Sequence, residues 1–325
     1  MSSTAPTAEL RKALEEALPD ALERACRVTE LRRRPSPYRT SFGLEELEVT
    51  LDESEPLELI FKDLSWATLD DRGRVAKPGL LYDPMREIDV YRRLLAPADL
   101  GTPRYYGSVV DRDRDRYWLF LERVAGVELY QVGELERWKE AASWLAVLHS
   151  RFAEDVERHA ADARLLRHER AYYRHWIEQA LDHARPEARS GLEWLASRYD
   201  AVVERLLALP ATVVHGEFYA SNVLVAGGGR VAPVDWEVAA AGPGLIDLAA
   251  LTTGWGNSER TALERAYTAA VPAEIAPADP EALDLCRLHL AVQWLGWAPP
   301  GWDPPAEHRR DWLGEALGIA EELRL

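Results

Sequence analysis

Between Val213 and Asp247 the chain reads VVHGEFYASNVLVAGGGRVAPVDWEVAAAGPGLID. His215, Glu217, Asn222 and Asp235 each stand where a β-prone apolar run gives way to a loop, a place where side chains can converge on a ligand while the strands hold them still. The runs VVH, NVLV and RVAPVDW are short and rich in valine, and Gly227-Gly228-Gly229 supplies a turn, so a hairpin is expected here. One carboxylate, one amide and a second carboxylate within about twenty residues are the donors of a metal-assisted phosphoryl-transfer site. One carboxylate orients or deprotonates the acceptor, while the amide and the other carboxylate offer oxygen ligands to Mg²⁺.

The elements that must position these groups follow from periodicity. Residues 7–27 carry Leu10, Leu14, Leu18 and Leu22 at helical spacing, interrupted at Pro19, which predicts a helical N-terminal appendage over residues 1–27. Three strands come next, VTELRRR, LEELEVTL and LELIFKDL, before any long helix, so residues 28–125 are read as a lobe built on a small antiparallel sheet. Lys62 follows the apolar LELIF of the third strand, where a charge must point into a cleft or out to solvent. The helix that begins at Pro84, a favoured first-turn residue, offers Glu87 with Val90, Tyr91 and Leu94. Strands resume at RYYGSVV and RYWLFLERV, joined by a charged hairpin tip from Asp111 to Arg116. Residues 126–325 are mostly helical and carry the catalytic and metal-binding loops; His149, next to Leu148, reads as a hydrogen-bonded structural histidine.

At these residues the chain resembles the aminoglycoside phosphotransferase and choline kinase family of small-molecule kinases. That family's catalytic loop is His-Gly-Asp, four residues, then Asn. Its metal segment is Asp-Trp/Phe-Glu, followed by Gly-Pro and an Asp-Leu-Ala helix start. Here His215-Gly216-Glu217, Asn222, Asp235-Trp236-Glu237, Gly242-Pro243 and Asp247-Leu248-Ala249 match in order and spacing, except that Glu217 stands where the family has Asp. An added methylene moves the carboxylate outward by roughly 1.5 Å, a displacement able to cost about a hundredfold in rate. In a loose transition state dominated by positioning and charge stabilisation, the base is one contributor among several.

The resemblance implies an α+β, protein-kinase-like bilobal fold with ATP and Mg²⁺ between a small antiparallel β-sheet lobe and a mostly helical lobe. It implies that Lys62, paired with Glu87, contacts the α/β-phosphates, that Asn222 and Asp235 hold Mg²⁺, and that Glu217 is the catalytic carboxylate. The Thr40 and Ser41 region, which lacks a protein kinase's glycine pattern, would cover the phosphates with hydroxyl and backbone donors. Backbone groups at Glu122 and Val124 would meet the adenine. His215 and Asp247 would brace the loop, and Glu237 would stand behind the metal ligands or line the substrate wall. Two functions remain open on the Glu217 departure: a kinase acting on a hydroxyl of an aminoglycoside-like antibiotic or other metabolite, and a catalytically weakened or inactive pseudokinase that binds a metabolite, peptide or partner enzyme.

Composition bounds these readings. A chain of 325 residues, 47% apolar and with twelve tryptophans, is ample for one large or two moderate domains. Cys26 and Cys286 lie far apart in sequence, which fits a reducing compartment and supports neither a disulfide framework nor a metal cluster. The first residues lack the basic flank and apolar run of a signal peptide, and no uncharged stretch approaches membrane-spanning length, so a cytoplasmic protein without a membrane partner is expected. A net charge of −16 opposes nonspecific binding to nucleic acid and mildly favours a cationic substrate. The Arg32-Arg33-Arg34 run is too short for a nucleic-acid patch and reads as a strand edge.

Overall fold

A computed structural model of the chain describes residues 5–38, 42–52, 56–69, 79, 81–272, 276, 278–297 and 310–325. The chain divides into two compact units, Met1–Val127 with Leu224–Glu237, and Glu128–Val223 with Val238–Leu325. The segment carrying Asp235 therefore belongs with the first unit, and the segments carrying Glu217, Asn222 and Asp247 with the second.

In the first unit, helix α1 (Thr7–Leu22) precedes strands β1 (Val28–Pro35), β2 (Gly43–Leu51) and β3 (Leu57–Asp63). Helix α2 (Pro84–Asp89) and strands β4 (Tyr105–Asp111) and β5 (Arg116–Glu122) follow. The five strands form one antiparallel sheet in the order β1-β2-β3-β5-β4. Leu10, Ala13, Leu14 and Leu18 of α1 are buried with Leu47, Val49, Leu59, Phe61, Trp118 and Phe120 of the sheet, so the N-terminal helix covers one sheet face and shares its core. The helix runs through Pro19 instead of breaking there. Pro19 lies in the last turn, where only the local bond is lost, and Glu23, in left-handed conformation at φ 54°, closes the helix.

Strand alternation then decides where Lys62 goes. Leu59 and Phe61 enter the core shared with α1, so Lys62 is turned to the opposite face. The basic run of β1 is neutralised across the β1–β2 hairpin. Arg33 meets the buried Glu45 through two bonds of 2.7 and 3.0 Å, Arg34 meets Glu46, and Arg32 meets Glu48. Helix α2 has Asp83 as its N-cap, accepting from the Met85 N–H, and Pro84 in its first turn; beyond Asp89 it widens into a π-helical stretch, Val90–Leu95.

The run NVLV pairs with the strand after the glycine turn, as Val223–Ala226 against Val231–Pro233, with Gly126–Glu128 on the other side of the first. Ala211–Val214 is not part of this hairpin. It pairs antiparallel with Ala240–Pro243, which also takes Leu166–Arg167 in parallel.

The second unit is mainly helical: α3 (Leu135–Phe152), α4 (Arg170–Asp182), α5 (Pro186–Leu207), α6 (Leu245–Leu251), α7 (Asn257–Ala270), α8 (Ala282–Trp297) and α9 (Trp312–Glu322), with a short helix at Val156–Asp162 between the first two. Helix α5 starts at Pro186 in its first turn, and α8 is buried along most of its length. Among the described residues no helix is long and apolar enough to cross a membrane.

Candidate active site

In the first unit Lys62, at 3% exposure, is shut off from solvent together with Glu87. Its Nζ lies 2.6 Å from Glu87 Oε2 and forms a second ion pair with the half-buried Asp235. Strand β3, helix α2 and the Asp-Trp-Glu segment thus deliver one cation and two anions to one point. Burial disfavours the ammonium, but Asp235, Glu87 and Glu237 outweigh it and hold the Lys62 pKa above the usual lysine value. Glu87 is pushed up to about 7, chiefly by its own burial, with Lys62 working the other way and the Asp235 charge adding to the rise.

The backbone under Asp235 is unusual. Asp235 adopts φ 69°, a left-handed conformation uncommon for residues with a side chain and more accessible to Asp and Asn than to most. Upstream, the buried Trp236 indole donates to the Pro233 carbonyl at 3.3 Å. Downstream, Arg86 donates through Nη1 to the Glu237 carbonyl at 2.7 Å and to the Leu81 carbonyl at 2.7 Å.

Glu122 pairs with Arg230 at 2.7 Å and accepts from the Arg104 N–H; the Arg230 hydrogen bonds hold its carboxyl below the usual range against the effect of burial. The Glu122 N–H donates to the Arg104 carbonyl at 2.8 Å, so that backbone donor is already used. Val124 is buried with Leu224 and Ala232, against which Ala226 and Val234 also pack. Thr40 and Ser41 lie outside the described residues.

In the second unit the loop after Val214 is held by its backbone. Gly216 sits at φ 87°, and a Cβ there would come within 2.6 Å of the Val238 carbonyl, so glycine is required. Asp247, fully buried at the start of α6, accepts the His215 N–H at 2.7 Å and the Gly216 N–H at 2.9 Å. His149 Nε2 meets the same carboxylate at 3.2 Å, and His149 Nδ1 meets the Tyr267 hydroxyl at 2.9 Å. His215 Nδ1 accepts the Glu217 N–H at 3.3 Å, and the Glu217 carbonyl accepts from the Tyr219 N–H at 2.7 Å and from Asn222 Nδ2 at 2.9 Å. Glu217 is half-buried, its main chain bound in both directions.

The oxygen chemistry of Asn222 and Asp235 suits Mg²⁺. With Nδ2 given to the Glu217 carbonyl, Asn222 of the second unit would have Oδ1 to offer a metal, and Asp235 of the first unit would have a carboxylate oxygen. Among the described residues no three His, Cys, Asp or Glu side chains gather into a metal cluster. Mg²⁺ does not require one, since phosphates and water complete its shell.

Sequence reasoning missed two supports. An arginine beside a helical glutamate reads as a solvent-facing pair, yet Arg86 is buried; Tyr267 reads as an ordinary core aromatic of α7, yet its hydroxyl meets His149. A polar residue in a stretch where its neighbours on both sides must be buried was the only available signal.

Solved structures share this fold. Choline kinase LicA from Streptococcus pneumoniae aligns with a TM-score of 0.56 at 15% identity, over 97% of this chain and 99% of that one. The GDP complex of aminoglycoside 2'-phosphotransferase-IIIa aligns with a TM-score of 0.55 at 12% identity, over 98% of both chains. Macrolide 2'-phosphotransferase MphH from Brachybacterium faecium aligns with a TM-score of 0.55 at 16% identity, over 94% and 97%. The fold is that of the protein-kinase-like phosphotransferases. No curated protein sequence matches the chain. The sequence does match the model of the phosphotransferase enzyme family over residues 49–286, and the chain belongs to that family.

Proposed function

We propose that this protein transfers the γ-phosphoryl group of ATP to a hydroxyl of a small molecule, an aminoglycoside-like antibiotic or another metabolite. The observation that carries this reading is the buried Lys62 held between Glu87 and Asp235, in a chain of the phosphotransferase enzyme family. A buried ammonium with two carboxylates is costly to maintain for stability alone, and it is the charge arrangement that a nucleoside triphosphate with its metal uses. An AMP complex of the choline kinase and a GDP complex of the aminoglycoside 2'-phosphotransferase, among the proteins of the same fold, support nucleotide binding.

Lys62 binds the α/β-phosphates and is oriented by Glu87. The apolar group of Val124, Leu224 and Ala232 receives the adenine, with the Glu122 carbonyl and the Val124 backbone at its edge. Asn222 and Asp235 are the residues that would hold Mg²⁺, which when bound would neutralise charge on the phosphates. Glu217 accepts the proton of the acceptor hydroxyl as the oxygen attacks the γ-phosphorus and the bond to the β-bridging oxygen breaks. Asp247 and His215 keep that carboxylate on a fixed loop.

Glu217 in the place of the family's aspartate favours one other reading, a pseudokinase that binds a metabolite, peptide or partner enzyme. Incubation with ATP and Mg²⁺ across a panel of hydroxyl compounds, scored by mass spectrometry for an added phosphoryl group, separates the two. A phosphorylated product together with a raised melting temperature in MgATP supports the kinase. Stabilisation by a metabolite or peptide, with neither nucleotide binding nor turnover, supports the binding protein.

A further inference from the structure

We propose that Arg86 is a positioning residue for the metal-binding carboxylate: by holding the carbonyl of Glu237 it keeps Asp235 in its left-handed conformation and so sets where that carboxylate meets Mg²⁺. The inference rests on the reading of Asp235 as a metal ligand. Three observations carry it. Arg86 is 4% exposed, although arginine is rarely buried without specific partners. Its Nη1 donates at 2.7 Å to two carbonyls, that of Leu81 just ahead of α2 and that of Glu237 just after Asp235-Trp236. Asp235, two residues before the second of these carbonyls, has its backbone at φ 69°.

Neighbouring residues of one helix thereby grip neighbouring parts of one segment. Glu87 reaches the Asp235 side chain through Lys62, and Arg86 reaches the Asp235 backbone through the peptide two residues on. The Trp236 indole on the Pro233 carbonyl closes the turn from the other side. Without the downstream hold, Asp235 can relax toward an ordinary backbone conformation, which swings its carboxylate away from the position Lys62 now marks. Outer groups that orient a metal ligand are commonly worth about ten- to a hundredfold in metal affinity when removed.

The test is calorimetric titration of the full-length protein with ADP at stepped Mg²⁺ concentrations, with a melting curve for every variant. Arg86→Gln is expected to raise the half-saturating Mg²⁺ concentration about ten- to a hundredfold while metal-free ADP affinity stays within about threefold of wild type. Arg86→Lys, whose ammonium can still donate to both carbonyls, is expected to fall between the two. A folding defect alone would lower the melting temperature and weaken ADP binding equally at every Mg²⁺ concentration. Wild-type Mg²⁺ dependence in a folded variant, or a parallel loss of metal-free affinity, overturns the inference; should Arg86→Gln not fold, Arg86→Lys is judged by the same criteria. If the wild-type protein itself binds ADP without regard to Mg²⁺, or not at all, the metal role of Asp235 fails and this inference fails with it, an outcome distinct from a failure at Arg86 alone.

Discussion

Asp247 accepts the backbone N–H of His215 at 2.7 Å, inside a core where neither residue meets water. The same carboxylate takes the Gly216 N–H and faces His149, so removing it leaves two buried backbone donors and a buried imidazole without their acceptor. Each orphaned donor costs about 1–3 kcal/mol. Asp247→Ala is therefore expected to lower stability by about 3 kcal/mol or more, read as a shift in the urea midpoint, and to reduce turnover in whatever fraction remains folded because Glu217 rides on the same loop. A midpoint within about 0.5 kcal/mol of wild type, the usual range for a surface change, would remove Asp247 from its bracing role.

Glu87 and Lys62 form a second closed pair, with Asp235 as the competitor for the ammonium. Glu87→Ala leaves Lys62 to pair with Asp235 alone, which under the proposed roles would draw the cation away from the phosphates. Nucleotide affinity is expected to fall about tenfold, which is about 1.4 kcal/mol and at the lower end of what a charged hydrogen bond contributes. Titration with ADP in Mg²⁺ reads it directly, and unchanged affinity would show that Lys62 does not need the helix to hold its pose.

Asp235→Asn keeps the shape and tolerates the left-handed backbone, since asparagine visits that region readily. It removes the negative charge, so Mg²⁺-dependent nucleotide binding should be lost while the melting temperature changes little. Retention of the Mg²⁺ effect would exclude Asp235 from the metal site.

These groups differ in how far they could be read from residues alone. Lys62, Glu87 and Asp235 were visible because each is a charge placed in or beside an apolar run, and their order along the chain carries the family pattern. The antiparallel sheet was visible in the alternation of β2 and β3, but its order was not. Strand β5 inserts between β3 and β4, a pairing decided by tertiary contact and not by sequence neighbours. The continuation of α1 through Pro19 was equally hidden, because a proline in a last turn loses little and the apolar face of α1 repays it. Arg86 was hidden for the opposite reason: its partners are carbonyls, and a backbone acceptor leaves no residue type to recognise.

Two buried histidines of the second unit make a pH prediction. His168 stacks on Tyr172 with ring centroids 4.2 Å apart, and its burial holds its pKa down to about 4 against an opposing pull from Asp247. His289, bonded to the Tyr199 hydroxyl at 2.7 Å, is lowered as well, by burial and then by the neighbouring His168. Both stay neutral in the folded chain where the unfolded chain takes up protons below about pH 6.5. Stability is therefore intact above that value and falls as pH drops toward 4, by about 2 kcal/mol at pH 5 for His168. Urea midpoints at pH 7 and pH 5 measure the slope, and His168→Phe, which keeps the stacked ring, should flatten it. An equal slope in that variant would assign the acid sensitivity elsewhere.

The choice between kinase and pseudokinase comes to Glu217, and its backbone makes the experiment clean. With its N–H on His215 and its carbonyl on both Tyr219 and Asn222, the main chain is tethered against a shift that would absorb a change in side-chain length. Glu217→Asp therefore withdraws the carboxylate by about one carbon–carbon bond, roughly 1.5 Å, a distance on which about a hundredfold in rate can turn. If the acceptor pocket has the family's dimensions, turnover holds or rises in this variant. If the pocket is built around the longer side chain, turnover falls about a hundredfold while nucleotide affinity stays constant. Glu217→Gln removes the proton acceptor at constant size and is expected to cost about 10²–10⁴ in kcat, with little change in KM for ATP. Should that glutamine variant turn over like wild type, Glu217 is not the base, and proton transfer must pass to another acceptor.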